Sequence, residues 1–384
     1  MDPKIILKAA GRGEEITSIE AIILMQNYQT HHQEIHEVAD HLNKKINKNV
    51  VTYSHCAHVA YTNICRYSCR VCSFHKKKKQ PDAFTLTIDH VIKKISETPS
   101  LMQLCIYGGL NSELPFTYYT NMLQEIRRQF PAIHIQAFSP MEIFFIAKRS
   151  KQSTYEVLKK FKEYGLDSLG GLGTEILNDK IRKKICPDKI RTSEWMDIVK
   201  TAHRIGLNSV ASILFGHLED EIHICEHLEI IRNIQRETGG FNQFSPIPFS
   251  LSAVDFSVLD KLTSKWYRES RLPEEQAILR LLSISRIFFG NTINTIQANW
   301  FSLGLENALR SLKTGANDLG ETIFDETAIK NLRKKSVSSL SPARIKKEII
   351  KLGKTPKSRF GLKNSAPKPV AAVKPLNLTS GSAN

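Results

Sequence analysis

Three thiols dominate the chemistry available to this chain. In "NICRYSCRVCSFHKKKK", Asn63 to Lys79, the residues Cys65, Cys69 and Cys72 fall within eight positions and four lysines follow. A closed structural zinc site uses two CxxC pairs, so here the fourth ligand must come from far away or from His75. An iron–sulfur cube needs one ligand per iron, and three thiolates leave one iron open to another molecule. A tight loop must wrap the thiolates around one cube, and Cx3Cx2C directly after a first strand does so. Three unliganded reactive thiols beside four lysines would be a poor alternative. The spacing therefore points to a 4Fe–4S cluster on Cys65, Cys69 and Cys72.

The other four cysteines, 56, 105, 186 and 225, are scattered and read as small core residues. Seven in all, an odd number, is no secreted disulfide framework. The 384 residues carry a net charge of +16, but from Asn331 onward thirteen Lys and Arg face Glu348 alone. That segment holds +12, leaving +4 for the preceding 330 residues. The basicity belongs to the tail, which ends "SAPKPVAAVKPLNLTSGSAN" and reads as disordered with nonspecific anion attraction. Nucleic acid is accordingly not the expected partner. No apolar stretch reaches the ~18–20 residues of a membrane helix and the N-terminus is no signal peptide, so a cytoplasmic protein is expected.

Something must position the cysteine loop. After about fifty residues of helical pattern, short apolar or β-branched runs ending in polar or glycine-containing knots alternate with amphipathic helices. The runs are "HVAYTNIC", "LMQLCIYGG", "IHIQAFS", "LDSLGG", "NSVASILFG", "FNQFSPIPF" and "INTIQANW", with a weaker eighth at "GANDLGET". Such alternation implies parallel strands with crossover helices, and eight units imply a (β/α)8 TIM-type barrel with its site at the strand C-termini. The expected segments are 1–50 N-terminal helices, 51–330 barrel, 331–360 C-terminal helical extension and 361–384 basic disordered tail, with order fading from about Thr355.

"CRYSCRVC" resembles the cysteine motif of the radical SAM superfamily. That resemblance implies a 4Fe–4S cluster binding S-adenosyl-L-methionine at the top of the barrel and releasing a 5′-deoxyadenosyl radical. Val71 stands where an aromatic residue usually packs near the adenine. Gly108 and Gly109 of "YGG" end the second strand, where the superfamily holds the methionine moiety. Tyr67 and Phe74 on the loop, and Ser139 and Glu175 after the third and fourth strands, are further cofactor candidates.

The likeness narrows over Tyr61 to Arg359. "YTNIC", "IHIQAFSPMEI", "KKICPDKIRTSEW", "GHLEDEIHICEHL" and "ETGGF" are similar to the CofH, MqnE and MqnC family, and "SPMEI", "SPIPF" and "INTIQANWFSLG" lean to CofH. That member implies transfer of the 4-hydroxybenzyl group of L-tyrosine to 5-amino-6-(D-ribitylamino)uracil in deazaflavin synthesis. The rival members would act on futalosine-pathway intermediates of menaquinone synthesis. Polar substrates call for polar strand ends, which makes Glu142, His217, Gln243, Gln297 and Asn299 the candidate contacts, with Ser212 and Ser245 beside them. Gln297 and Asn299 alternate on one strand and share a face; Trp300 points the other way. His203 and His227 on helices read as structural. The Lys76–Lys79 run reads as a solvated face that could dock an acidic electron donor such as flavodoxin or ferredoxin. A zinc or nucleic-acid module using the same loop is the alternative from another class, and it leaves the eight strand–helix units without a purpose.

Overall fold

Local signals set the element ends. Thr17 with Glu20, Ser139 with Glu142 and Ser153 with Glu156 form reciprocal capping boxes at three helix starts. Gly13 and Gly239 end their helices in the left-handed region, where a Cβ would be strained. The computed structural model describes residues 1–98, 100–249, 272–323 and 339–359.

Three helices come first, α1 (Pro3–Arg12), α2 (Ser18–Gln26) and α3 (Tyr28–Asn47). Strands and helices then alternate: β1 (Val50–Thr62), α4 (Ile88–Ser96), β2 (Gln103–Gly108), α5 (Phe116–Gln129), β3 (His134–Ala137), α6 (Pro140–Ser150) and α7 (Thr154–Glu163). Next come β4 (Ser168–Leu169), α8 (Asp179–Ile185), α9 (Thr192–Arg204), β5 (Asn208–Phe215), α10 (Glu221–Thr238) and β6 (Phe241–Pro248). After α11 (Glu274–Phe289), the short α12 (Trp300–Leu303) and α13 (Leu305–Ser311) lead to β7 (Asp318–Ile323). The strands are buried on both faces, as a parallel sheet under crossover helices requires.

All strand pairings are parallel, in the order β6-β5-β4-β3-β2-β1-β7. The gap between β6 and β7 is spanned by residues 295–298. Phe244 N donates to Thr295 O at 2.9 Å, Gln297 N to Phe244 O at 2.9 Å, and Ala298 N to Asp318 O at 2.8 Å. These bridges supply the eighth stave of the (β/α)8 ring. The expected strand at "INTIQANW" exists only as this pair of bridges, because Asn299 already caps α12 through Phe301 N and Ser302 N.

The N-terminal helices pack on α10 and α11 and are tied by polar contacts. Arg232 donates to Ile16 O at 2.7 Å, Ser18 to Glu229 at 2.6 Å, and Asn43 to Ala316 O at 3.2 Å. At the other end, α14 (Pro342–Lys351) leads into β8 (Thr355–Ser358), which pairs with Val50–Tyr53 of β1. Order therefore does not fade from Thr355. The sequence hides this strand because "TPKS" carries no apolar alternation and a proline, which only an edge strand tolerates. The expected tail, 361–384, lies outside the described residues, as do 331–338. Among the described residues no helix is long and apolar enough to cross a membrane.

His203 and His227 are structural in their contacts. His203 lies between Ser209 Oγ at 2.7 Å and Thr238 Oγ1 at 2.6 Å, and His227 Nδ1 accepts from Leu177 N at 3.1 Å. Burial holds their imidazoles neutral, lowering His203 to about 4 and His227 to about 3. The unfolded chain, with ordinary histidines near ~6.5, binds more protons below that pH. Stability should thus be whole above pH ~6.5 and fall as pH drops toward 4, by about 1.4 kcal/mol per pH unit for each histidine. Chemical denaturation at pH 7, 6 and 5 measures it; a flat profile would show that these sites hold charged histidine.

Candidate active site

The loop after β1 folds back on the strand it leaves. Cys65 N donates to Lys76 O at 2.9 Å, Lys76 N to Asn63 O at 2.8 Å, and the Asn63 amide holds Asp82 O at 2.7 Å and Phe84 N at 2.8 Å. Lys77 Nζ donates to the carbonyls of Cys65 at 3.1 Å and Arg66 at 2.8 Å, so one lysine of the run staples the loop. Arg66 N donates to Leu110 O at 3.0 Å and Arg70 N to Ile185 O at 2.8 Å, fastening the loop to the ends of β2 and α8.

A cavity of about 410 Å³ opens above the strand C-termini, and Cys65, Cys69 and Cys72 all line it. Tyr67, Val71, Phe74, Gly108, Gly109, Ser139 and Glu175 line it too, as do Glu142, Gln243, Gln297 and Asn299. One candidate is not brought there. His217 turns into its own loop, with Nε2 3.0 Å from Leu214 O and Nδ1 accepting from Leu218 N at 2.7 Å, beside Glu219. A strand-end position suggested the cavity; the turn after Phe215 points the ring away from it.

Several candidates are committed to the scaffold. Both Glu142 oxygens are saturated: Tyr61 OH at 2.9 Å and Gly108 N at 3.1 Å reach Oε1, while Ser139 N at 2.8 Å and its Oγ at 2.7 Å reach Oε2. Glu142 thus ties β2's end to the start of α6; burial raises its pKa against those bonds. Gln297 takes Ser245 Oγ at 2.7 Å and donates to Asp318 at 3.0 Å, and Asn299 donates to Glu321 at 2.7 Å. Gln243 differs. It is buried, and its Oε1 has no hydrogen-bond partner among the described residues, which fits an acceptor waiting for a ligand donor.

The site also holds residues that sequence reasoning missed. Lys189 is hydrogen-bonded to Glu175 at the cavity edge. Burial works against its charge, yet Glu175 and the nearby Cys69 and Cys186 thiols hold its pKa above the ordinary value. Glu175 stands at φ +49°, a left-handed conformation costing about 1–3 kcal/mol for such a residue. His58, Tyr107, Gln136 and Glu321 complete the wall. Alternation along "HCAHVAY" would have put His58 on the inner face, had the strand been read from Val50.

The donor set fits an iron–sulfur cube with one open iron. Three thiols of one loop face a single cavity, burial raises Cys69 and Cys65 until a metal takes the proton's place, and a buried ammonium stands near Cys69. Beside them Gly108 and Gly109 present bare backbone. A Cβ on Gly109 would lie 2.3 Å from Ile64 O.

Comparison with known proteins agrees with this geometry. Residues 59–231 match the Radical SAM superfamily, and residues 238–369 match the CofH/MqnC C-terminal region. The fold is shared with the [FeFe]-hydrogenase maturase HydG (TM-score 0.72, 15% identity, 92% of this chain and 75% of that one). Methylornithine synthase PylB shares it as well (TM-score 0.70, 14% identity, 92% and 97%). The protein is a radical SAM enzyme, of the class that uses a 4Fe–4S cluster and S-adenosylmethionine. A 5-amino-6-(D-ribitylamino)uracil–L-tyrosine 4-hydroxyphenyl transferase of Methanococcus maripaludis is 37% identical over 85% of this chain and 90% of its own length. The Archaeoglobus fulgidus protein of that name is 36% identical over 86% and 93%. The chain belongs to the family of these transferases.

Proposed function

We propose that the protein transfers the 4-hydroxybenzyl group of L-tyrosine to 5-amino-6-(D-ribitylamino)uracil, in the cytoplasm, with Cys65, Cys69 and Cys72 holding the cluster. The observation that carries this reading is the match, over most of both chains, to relatives named for that transfer. When bound, the cluster and S-adenosylmethionine supply a 5′-deoxyadenosyl radical. The chain's own share is binding, orientation and exclusion of water. Gly108 and Gly109 line the cavity, and Lys189 with Glu175 offers a charge pair at its edge. Gln243 Oε1 accepts from an amine or hydroxyl, while Gln297 and Asn299, already clamped from behind, present fixed amide faces. Phe74 and Tyr107, 5.8 Å between ring centroids, give an aromatic wall against which planar rings can lie.

An electron must reach the cluster, and the Lys76–Lys79 face beside the loop suits an acidic flavodoxin or ferredoxin, apart from Lys77, which is engaged with the loop carbonyls, and Lys78, which is paired with Glu113. The test is anaerobic reconstitution with iron and sulfide, then S-adenosylmethionine, dithionite, L-tyrosine and the ribityluracil. Release of 5′-deoxyadenosine with a tyrosine–uracil adduct is expected. Turnover only with a futalosine-pathway substrate would move the protein to that reaction. With flavodoxin replacing dithionite, turnover should fall as salt rises; salt-independent turnover would remove the charged docking.

A further inference from the structure

On the inner face of the barrel a second group of soft ligands stands apart from the cysteine loop. Cys56 and His58 are two residues apart on β1 and so share a face, and Cys105 on β2 is the cross-strand partner of His58. The two sulfurs are 3.2 Å apart, and one ligand atom from each of the three residues lies within 4.8 Å of the others. Cys56 is 0% exposed and Cys105 4%, while His58 lines the cavity.

A buried cysteine is usually a small apolar filler. These two are set differently, within a polar layer. Gln103 Nε2 approaches Cys105 Sγ at 3.4 Å, and Glu321 Oε2 stands 4.0 Å from His58 Nε2.

We propose that Cys56, His58 and Cys105 bind one soft divalent cation of the Zn²⁺ type, with its fourth position open toward the cavity. Two thiolates and one imidazole with an open position is the ligand set of a reactive zinc site, and two thiolates neutralise the ion where uncompensated charge would be costly. Tetrahedral zinc with Zn–S of about 2.3 Å sets its sulfurs about 3.8 Å apart, so modest side-chain rotation admits the ion. Glu321 Oε2, 4.0 Å from His58 Nε2, bears on the charge of the imidazole but lies beyond hydrogen-bond length. The ion binds by displacing thiol protons and needs no oxidant. A cation there gives the cavity a Lewis-acid wall for a carboxylate or carbonyl oxygen of whatever molecule it holds.

The test reads metal content, independent of turnover and therefore of the proposed substrates. The whole chain is reconstituted anaerobically with iron and sulfide, given a small excess of ZnCl2, desalted and analysed for both metals. One zinc per chain beside undiminished iron is expected, with zinc-edge X-ray absorption reporting two sulfurs and an imidazole. Cys56→Ala and His58→Asn should each lower zinc affinity by about tenfold or more while leaving iron unchanged. If a variant fails to fold, the absorption spectrum of the unaltered chain still decides. Absence of zinc, a three-sulfur zinc spectrum, affinity unchanged in Cys56→Ala, or a Cys56–Cys105 disulfide in the anaerobic preparation would each overturn the proposal.

Discussion

Replacing Arg359 with Met should destabilise the protein by about 3–5 kcal/mol, because it leaves buried carboxylates without their cation. Arg359 Nε donates to Asp318 Oδ2 at 2.7 Å and its NH2 to Glu321 Oε1 at 3.2 Å, with the arginine side chain 9% exposed and the carboxylates 0% and 6%. Those carboxylates also hold Gln297 and Asn299. Loss of the arginine therefore reaches the cavity wall as well as the stability. Denaturant midpoints give the first effect, and combining Arg359→Met with Asp318→Asn should recover much of it. A loss under about 1 kcal/mol would mean that the pair is worth no more than an exposed one.

Gly109→Ala is expected to empty the cluster site while leaving the barrel folded. The added Cβ would stand 2.3 Å from Ile64 O and 3.1 Å from Cys65 Cβ. Both neighbours are backbone or nearly so, and cannot swing aside as a long side chain would. The Cys65 segment must shift, at the upper end of the ~1–3 kcal/mol typical of overpacking. Iron retained after reconstitution should fall below half that of the unaltered chain. Gly11→Ala, on α1 with nothing within 4 Å, is the control and should hold full iron with equal or greater stability. Full iron in Gly109→Ala would show that the loop has slack.

What was legible in the chain follows from how local its causes are. The cysteine loop is read from spacing alone, and the central strands are buried on both faces, so their largely apolar runs announce themselves. Ser139 and Glu142 show a capping signature, but spacing could not reveal that Tyr61 and Gly108, distant in sequence, saturate Glu142. His217 was misplaced for the same reason: its position after β5 is a sequence fact, whereas its direction is set by Leu214 O and Glu219. Lys189 gave no signal, since a lysine in "CPDKI" looks like any surface charge until α8 brings it against Glu175. Arg359 and β8 were hidden in a basic stretch whose composition resembles a solvated tail.

The pairing of β8 with β1 has a consequence during synthesis. Val50–Tyr53 find partners at Thr355–Ser358, and Arg359 meets Gln103 at a sequence separation of 256. At 5–20 residues per second a ribosome needs roughly 15–60 s between making the first of these strands and the last. For that interval the N-terminal part of β1 is an unpaired edge, and Asp318 and Glu321, once made, wait for their counter-ion. The nascent protein cannot finish the floor of its cavity until Thr355–Arg359 has been made.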